Sequence, residues 1–257
     1  MKNLFYEKLR ENKYIVSFIS NFMSIKSEIG NGVGSGKLFE RLFVHFINKC
    51  TPFSAVHMNL MNSFWIWDII ISSHDISHIA DELKEICRKN YPDVEQRITN
   101  LIGDDWIAIS LKTYKDDACQ ITTDYSYREF LDEKLNGKST EETDEFFNML
   151  NKHDSNRYLI IALNTNDKKN EFFFRELSFN KKFEKIEFRQ NVKLSQYNLI
   201  LHGTPLFKVL YGKNQANAFQ RGIWTSGKRS LNYFDLILKG KYEINDYFEK
   251  AILTTIV

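Results

Sequence analysis

Proline is nearly absent, at three residues in 257. No proline-rich linker divides the chain, and no internal repeat is visible. Cysteine is as scarce. Cys50, Cys87 and Cys119 are widely spaced and odd in number, which argues against a disulfide framework and a zinc cluster. Such a set fits buried thiols in a reducing cytoplasm. No apolar run approaches the roughly 20 residues that a membrane helix needs. The start, Met1-Lys2-Asn3-Leu4-Phe5-Tyr6-Glu7, carries an early acid and no signal-peptide pattern, so a cytoplasmic protein without a membrane partner is expected. Net charge is also small, at +2. What is present is apolar bulk: 14% of residues are aromatic, enough to bury a real core.

The small net charge hides an asymmetry. Between Asp116 and Asp154 eleven acids face four cations, a local balance of −7. Between Pro205 and Lys241, Lys208, Lys213, Arg221, Lys228, Arg229, Lys239 and Lys241 face Asp235 alone, a balance of +6. Such blocks are commonly solvated faces, but a basic block in an otherwise acidic chain fits a polyanion footprint.

Periodicity predicts helix over 1–28, a glycine-rich loop over 30–36, helix over 37–49, strand over 64–72 and helix over 76–89 with Asp75 as N-cap. A strand follows over 106–114, then a mostly helical acidic segment over 126–152. Strands are expected over 157–165, 171–179 and 185–192, with more between 198 and 244. The fold class expected is α/β, a central mixed β-sheet flanked by helices, with a strand-rich C-terminal half. Residues 1–155 would form the core, and 156–257 the strand-rich half continuous with it.

Gly36-Lys37 suggests a phosphate loop, and its spacing rejects one. Asn31 stands where that motif needs its first glycine, and Leu38 where it needs Ser or Thr. The dinucleotide-binding spacing fails as well, since Lys37 occupies the third glycine position.

Charge meets apolar surface in three places. Glu40 falls inside the apolar arc of the helix made by Leu38, Phe39, Leu42, Phe43, Val44, Phe46 and Ile47. A carboxylate aimed at a core needs a cation, a metal or a proton; the plainer reading is a Glu at the arc's edge that reaches water. Asp68 is the only charge in Phe64-Trp65-Ile66-Trp67-Asp68-Ile69-Ile70-Ile71-Ser72, apolar on both faces and hence a central strand. Alternation puts Asp68 with Phe64, Ile66 and Ile70, and Trp67 with Ile69 and Ile71. Either a cation lies beside Asp68, or it sits at a bend and reaches water. In Trp106 to Tyr114, Ile107, Ile109 and Leu111 share the core face, and Ala108, Ser110 and Lys112 the other. Two carboxylates and a lysine over one sheet suit Mg²⁺ and phosphate oxygens. The metal would acidify a bound water, and the lysine would stabilise developing charge.

At these residues the chain resembles the PD-(D/E)xK nuclease superfamily, and within it the type II restriction endonucleases. The matching stretches are Gly36-Lys37-Leu38-Phe39-Glu40, Trp67-Asp68-Ile69-Ile70-Ile71 and Ile107-Ala108-Ile109-Ser110-Leu111-Lys112-Thr113. The resemblance implies a restriction-endonuclease-like core, double-stranded DNA as substrate, Mg²⁺ as cofactor and sequence-specific cleavage by a monomer or homodimer. Asp68 and Glu40 would hold the metal, Lys112 would act on water or phosphate, and Ser110 would shape the site. Two positions depart from the pattern: Ser110 stands where a second acid is usual, and Trp67 where a proline is. Glu40, Asp124 or Glu129 could supply the missing acid. Asp93, in a literal Pro92-Asp93, and Asp105 are rival strand acids. The segment Phe219 to Arg229 is similar to the basic recognition loops of small restriction enzymes. In it Gln220, Arg221, Trp224, Thr225, Lys228 and Arg229 would read bases or hold phosphates. The alternative from another class is a catalytically inactive DNA-binding protein with a nuclease-like fold; a third is a structural protein in which Asp68 and Lys112 form an ion pair.

Overall fold

Isoleucine-rich segments on either side of Asp105 become neighbouring strands. The computed structural model describes residues 1–29, 33–58, 67–89, 93–114, 120–121, 130–151, 157–165, 170–177, 182–190, 195–211, 222–225 and 234–241. Strand β2 (Ile69–Ser72) runs antiparallel to β3 (Trp106–Tyr114), with Ile69 facing Ile109 and Ile71 facing Ile107. On its other side β2 pairs antiparallel with β1 (Ser54–His57). Beyond β3 lie β5 (Tyr158–Asn164), parallel to it, then β6 (Glu171–Leu177) and β11 (Phe234–Lys241), each antiparallel to its neighbour. The result is a mixed sheet of six strands in the order β1-β2-β3-β5-β6-β11. Three strands of the C-terminal half therefore complete the sheet begun by the N-terminal half.

Helices cover this sheet. On one face α1 (Lys2–Glu11), α2 (Ile15–Ile29) and α3 (Val33–Cys50) pack a phenylalanine-rich layer onto Ile69, Ile71, Ile107, Ile109, Leu111 and Phe174. Phe22 meets Phe39 at 4.4 Å between ring centres, and Phe18 stacks on Phe46 at 4.7 Å. Lys2 fastens α1 to the sheet through the buried Glu176 at 2.5 Å, and Arg10 Nε donates to the Ile237 carbonyl at 3.1 Å. On the opposite face α4 (Ala80–Arg88) and α5 (Val94–Ile102) bury Leu83, Cys87, Ile98 and Ile102 against Val56, Ile70, Trp106, Ala108 and Tyr158. Burial from both sides explains why Ile69-Ile70-Ile71 is a continuous apolar run and does not alternate. Of the cysteines, Cys87 is buried, which pushes its thiol up to about 12, and Cys50 is half-buried; Cys119 lies outside the described residues.

A second, antiparallel sheet centres on β7 (Lys185–Gln190), β8 (Ser195–Leu201) and β9 (Thr204–Tyr211), extended by β10 (Gly222–Thr225) and β4 (Gln120–Ile121). Its Ile186, Tyr197, Leu199 and Phe207 share a core with α6 (Asp144–Asn151), the π-helical turn Phe130–Leu135, and Tyr114, Ala162 and Leu177 of the first sheet.

Several boundaries differ from expectation. The first helix is two, because Asn12 ends α1 with extended backbone and its Oδ1 accepts the Tyr14 amide at 2.8 Å. The expected loop over 30–36 is helical from Val33, so Ser35 and Gly36 belong to α3. Glycine in a helix costs about 1 kcal/mol, which the phenylalanine contacts between α2 and α3 outweigh. The acidic segment is helical only over 130–135 and 144–151 within the described residues; between them Gly137 adopts φ +78° and Thr140 bridges to Ile186. Asp75 is not the N-cap expected of it: the segment opens as a 3₁₀ turn (Ser77–Ile79) capped at Ile76, α4 follows with Ile79 at its cap, and Asp75 Oδ1 accepts the Ser77 amide at 2.9 Å just ahead of the turn. No helix among the described residues is long and apolar enough to cross a membrane.

Gly240 gives a direct test of the packing between β6 and β11. It faces Phe172 in register, and a Cβ there would sit 2.5 Å from the ring of that fully buried side chain. Gly240→Ala should therefore lower unfolding free energy by about 1–3 kcal/mol, the usual cost of overpacking. Urea denaturation reads this directly, and an unchanged midpoint would mean that the ring has room to move.

Candidate functional site

Asp68 sits where β2 begins, at a kink. Its amide donates to the Ile109 carbonyl at 2.9 Å, although the ladder pairs Ile109 with Ile69. Two residues of one strand thus address one residue of its partner, the arrangement of a β-bulge. The bulge also shifts the side-chain alternation. Trp67 joins Ile70 in the core under α4 and α5, stacked on Tyr158 at 4.8 Å. Regular alternation had placed Trp67 with Ile69 and Ile71, which lie on the opposite face. Residues 64–66 of the expected strand lie outside the described residues.

The kink hands the carboxylate to β3. Asp68 Oδ2 accepts from Ser110 Oγ at 3.1 Å, from the Leu111 amide at 2.9 Å and from Lys112 Nζ at 3.1 Å. Three donors, one of them charged, converge on a single oxygen and fix the carboxylate plane. Oδ1 accepts no hydrogen bond among the described residues, and the Asp68 side chain keeps 22% of its surface exposed. Ser110 is buried at 3%, and Lys112 keeps 17% of its side chain exposed. Both alternatives read from the sequence for Asp68 are thus realised together: a cation beside it and a bend that leaves it in contact with water.

Glu40 has a partner that the sequence reading missed. His57 Nε2 lies 2.9 Å from Glu40 Oε2, and both side chains are mostly buried, at 14% and 15% exposure. The helix supplies Glu40 and β1 supplies His57. Asn48, two turns beyond Glu40 on α3, clamps Ala55: its Oδ1 accepts the Ala55 amide at 2.6 Å and its Nδ2 donates to the Ala55 carbonyl at 3.0 Å. That clamp satisfies backbone groups on the outer edge of β1 and brings His57 beneath Glu40. His57 faces Ile69 in register, and the next amide, of Met58, donates to the Asp68 carbonyl at 2.9 Å. Successive residues of a strand face opposite ways, so the Glu40–His57 pair lies on the α1–α3 side of the sheet, with Ile69 and Ala55, whereas Ser110 and Lys112 lie on the side of Ala108 and Met58. No hydrogen bond joins Glu40 to Asp68, and no group of three His, Cys, Asp or Glu side chains among the described residues is arranged to hold a metal. The signals for β1 were the Thr51-Pro52 stop after the helix and the short alternation Ala55-Val56-His57.

The rival acids stand elsewhere. Asp93 is exposed at the N-cap position of α5 and pairs with Arg97 at 2.9 Å, which draws its carboxyl below the usual range. Asp105 is exposed in the turn before β3, where its carbonyl accepts the Ser73 amide at 3.2 Å. Neither approaches the Ser110–Lys112 segment with a hydrogen bond or an ion pair. Asp124 and Glu129 lie outside the described residues, as do Gln220, Arg221, Lys228 and Arg229. Trp224 and Thr225 belong to β10, facing Lys208 and Phe207 of β9 in backbone register.

A cleft of about 800 Å³ opens between the turn at 130–135 and the start of α6. Glu141, Glu142, Asp144 and Glu145 line it alongside Lys134 and Lys138. Those carboxylates disfavour a polyanion, and none of the residues around Asp68 reaches it. Comparison of the chain with protein-family models, with curated proteins and with solved structures finds no match.

Proposed function

We propose that the chain is a metal-dependent endonuclease acting on double-stranded DNA, with Asp68, Ser110 and Lys112 at its centre. The observation that carries this reading is the kink that turns Asp68 Oδ2 onto Ser110 and Lys112, with no hydrogen bond to Oδ1 among the described residues. The element order supports it as well: a helix bearing Glu40, then a strand with Asp68 beside a strand with Ser110-x-Lys112, which continues into a parallel neighbour. That is the order implied by the resemblance to type II restriction endonucleases.

The donors suit Mg²⁺, which takes one or two carboxylates and fills its remaining positions with water and phosphate oxygens. Asp68 offers Oδ1; Glu40 is held by His57 on the other side of the sheet. A bound Mg²⁺ would neutralise charge on the phosphate and acidify a coordinated water. The chain's own groups do the rest. Ser110 and the Leu111 amide keep the Asp68 carboxylate from rotating. The Lys112 ammonium, already oriented by Asp68, stabilises negative charge as water adds to phosphorus and the sugar oxygen leaves. A buried, hydrogen-bonded serine in place of a second acid keeps two carboxylates from crowding one oxygen of the same strand pair.

Incubation with plasmid, with and without Mg²⁺, tests this directly. Fragments that appear only with metal support it. A mobility shift without cleavage would support the inactive DNA-binding reading, which the serine at position 110 favours. With neither result, the direct Asp68–Lys112 contact would be a structural ion pair.

Sequence recognition is proposed for the basic segment around Arg221. If Arg221 meets a base edge, Arg221→Ala should cost about 1–3 kcal/mol and relax the choice at one base pair. If Lys228 or Arg229 meets phosphate, its loss should weaken all sequences alike and flatten the salt dependence by about one unit of slope. Binding of cognate and one-base-altered duplexes in Ca²⁺ at several salt concentrations separates the two. No change in all three variants would move recognition to the strands and loops between Arg157 and Val192.

A further inference from the structure

We propose that Ile160 is a specificity-determining residue: it meets the sugar next to the phosphate held at Lys112, so that the site takes a deoxyribose there and rejects a ribose. This rests on the nuclease reading of the site and adds the class of sugar that the substrate carries.

Strand β5 is central, with β3 on one side and β6 on the other. From Tyr158 to Asn164 every residue is buried except Ile160, which is half-buried. It faces the same side of the sheet as the candidate site, because its partner on β3 is Ser110, while Leu159, Ile161, Ile109 and Leu111 belong to the core on the other side. Two cores touch Ile160. One lies under α4 and α5, and the other is shared with α6 and the second sheet. Ile160 is thus the floor of the seam between them, one strand spacing of about 4.8 Å from Ser110. Asp68 and the Lys112 ammonium flank Ser110 from the β2 side, and Ile160 flanks it from the β5 side. A phosphate that reaches Lys112 carries a sugar through a single bridging oxygen, so a sugar is the group that crosses Ser110 and rests on Ile160.

The surroundings of Ile160 give a ribose no partner. On that face its neighbours are Tyr158 and Ala162 along β5, Leu177 on β6 and Ser110 on β3. The Ser110 hydroxyl donates to Asp68 and is 3% exposed, and the Tyr158 hydroxyl is engaged by Glu95. Ala162 and Leu177 have no polar side-chain atom. A deoxyribose would set the hydrogens of C2′ on this apolar floor, whereas a ribose would bury a hydroxyl that has lost its water. The 2′-hydroxyl is the group by which a protein tells RNA from DNA at a given position.

The test uses short duplexes that carry a site mapped by plasmid cleavage, with one nucleotide of the cut strand altered at the sugar alone. In one duplex the nucleotide on the 5′ side of the scissile phosphate is a ribonucleotide; in a second, the nucleotide on the 3′ side. With Mg²⁺ the wild-type protein should cleave one of the two about 10- to 100-fold more slowly than the all-deoxy duplex, the scale on which an apolar surface rejects an added hydroxyl. A 2′-fluoro sugar at that position, which has no hydroxyl to bury, should be cleaved like DNA. Ile160→Thr places a hydroxyl on the floor and should remove most of the ribose penalty, whereas Ile160→Val keeps the floor apolar and should keep the penalty. Circular dichroism checks folding; if Ile160→Thr does not fold, Ile160→Ala, which admits water to the floor, takes its place. Wild-type cleavage of both ribonucleotide duplexes at the DNA rate would overturn the role of Ile160 and leave the nuclease reading in place. So would a full ribose penalty in Ile160→Thr, or a 2′-fluoro penalty as large as the ribose one. Absence of cleavage of the all-deoxy duplex, and of plasmid, would overturn both.

Discussion

Asp68→Ala should eliminate cleavage and loosen the fold at the same time. Activity should fall on the order of 10³-fold or more, because several kcal/mol of metal-borne charge stabilisation goes with the carboxylate. The structural penalty has a separate origin. Removing Oδ2 leaves the Leu111 amide and the buried Ser110 hydroxyl without their acceptor, at about 1–3 kcal/mol for each group that finds no substitute. Lys112 can reach water through its exposed fraction and adds little to that loss. Asp68→Asn separates the two effects, since its carbonyl can still accept from Leu111 while the charge is gone. The expected pattern is an inactive Asn variant with near-native stability and an inactive Ala variant with a lowered denaturation midpoint. Mg²⁺-independent DNA binding should survive in the Asn variant. Near wild-type cleavage by either would defeat the assignment, and Asp93→Ala would then be tested.

Lys112→Ala should behave differently. Cleavage should drop by about 10²- to 10³-fold, the scale of losing one preorganised charge at the reacting phosphate. Stability should change by no more than about 1 kcal/mol, as for a partly exposed ion pair. The reason lies in the hydrogen bonds: Asp68 keeps Ser110 Oγ and the Leu111 amide when Lys112 is gone, so the carboxylate stays in place. If the pair is instead purely structural, its loss should cost about 3–5 kcal/mol, as for a broken buried pair. Chemical denaturation beside a plasmid assay distinguishes the two, and a stable, fully active Lys112→Ala would remove the lysine from the chemistry.

Much of this was legible in the residues, and the gaps have physical causes. Strand β3 emerged with its bounds and its two faces, because Ile107, Ile109 and Leu111 alternate with smaller or polar residues over nine positions. In α5 the apolar residues Val94, Ile98, Leu101 and Ile102 repeat at helical spacing, which sets Asp93 at a helix start and not on a strand. Asp68 was found as an isolated charge in an apolar strand, yet the bulge that aims it was not. A bulge arises from how two strands pair, and neither strand's own pattern carries it. His57 was missed for a related reason. Its strand has four residues, too few for a period to show, and is held in place by Asn48 from a helix. Strand order in the second sheet depends on contacts far apart in the chain, such as Ile121 with Ile223, which local propensity does not encode.

Strands β6 and β11 meet at Leu177 and Phe234. The chain leaves the first sheet just after one and returns to it at the other, so the excursion over 178–233 begins and ends at a single paired position. A tight turn could in principle join those two residues and leave the six-stranded sheet with its strand order unchanged. Leu177, Ala162 and Tyr114 of the first sheet would need polar replacements, and so would Phe130, Leu135, Phe146 and Leu150 of the turn and α6, because all share their core with the excursion. Strands β7 to β10 are in this sense one inserted unit, to which β4 adds a strand from outside the excursion. Under the proposed nuclease reading, exchanging that unit would change which DNA the chain meets while Asp68, Ser110 and Lys112, which lie outside it, keep their places.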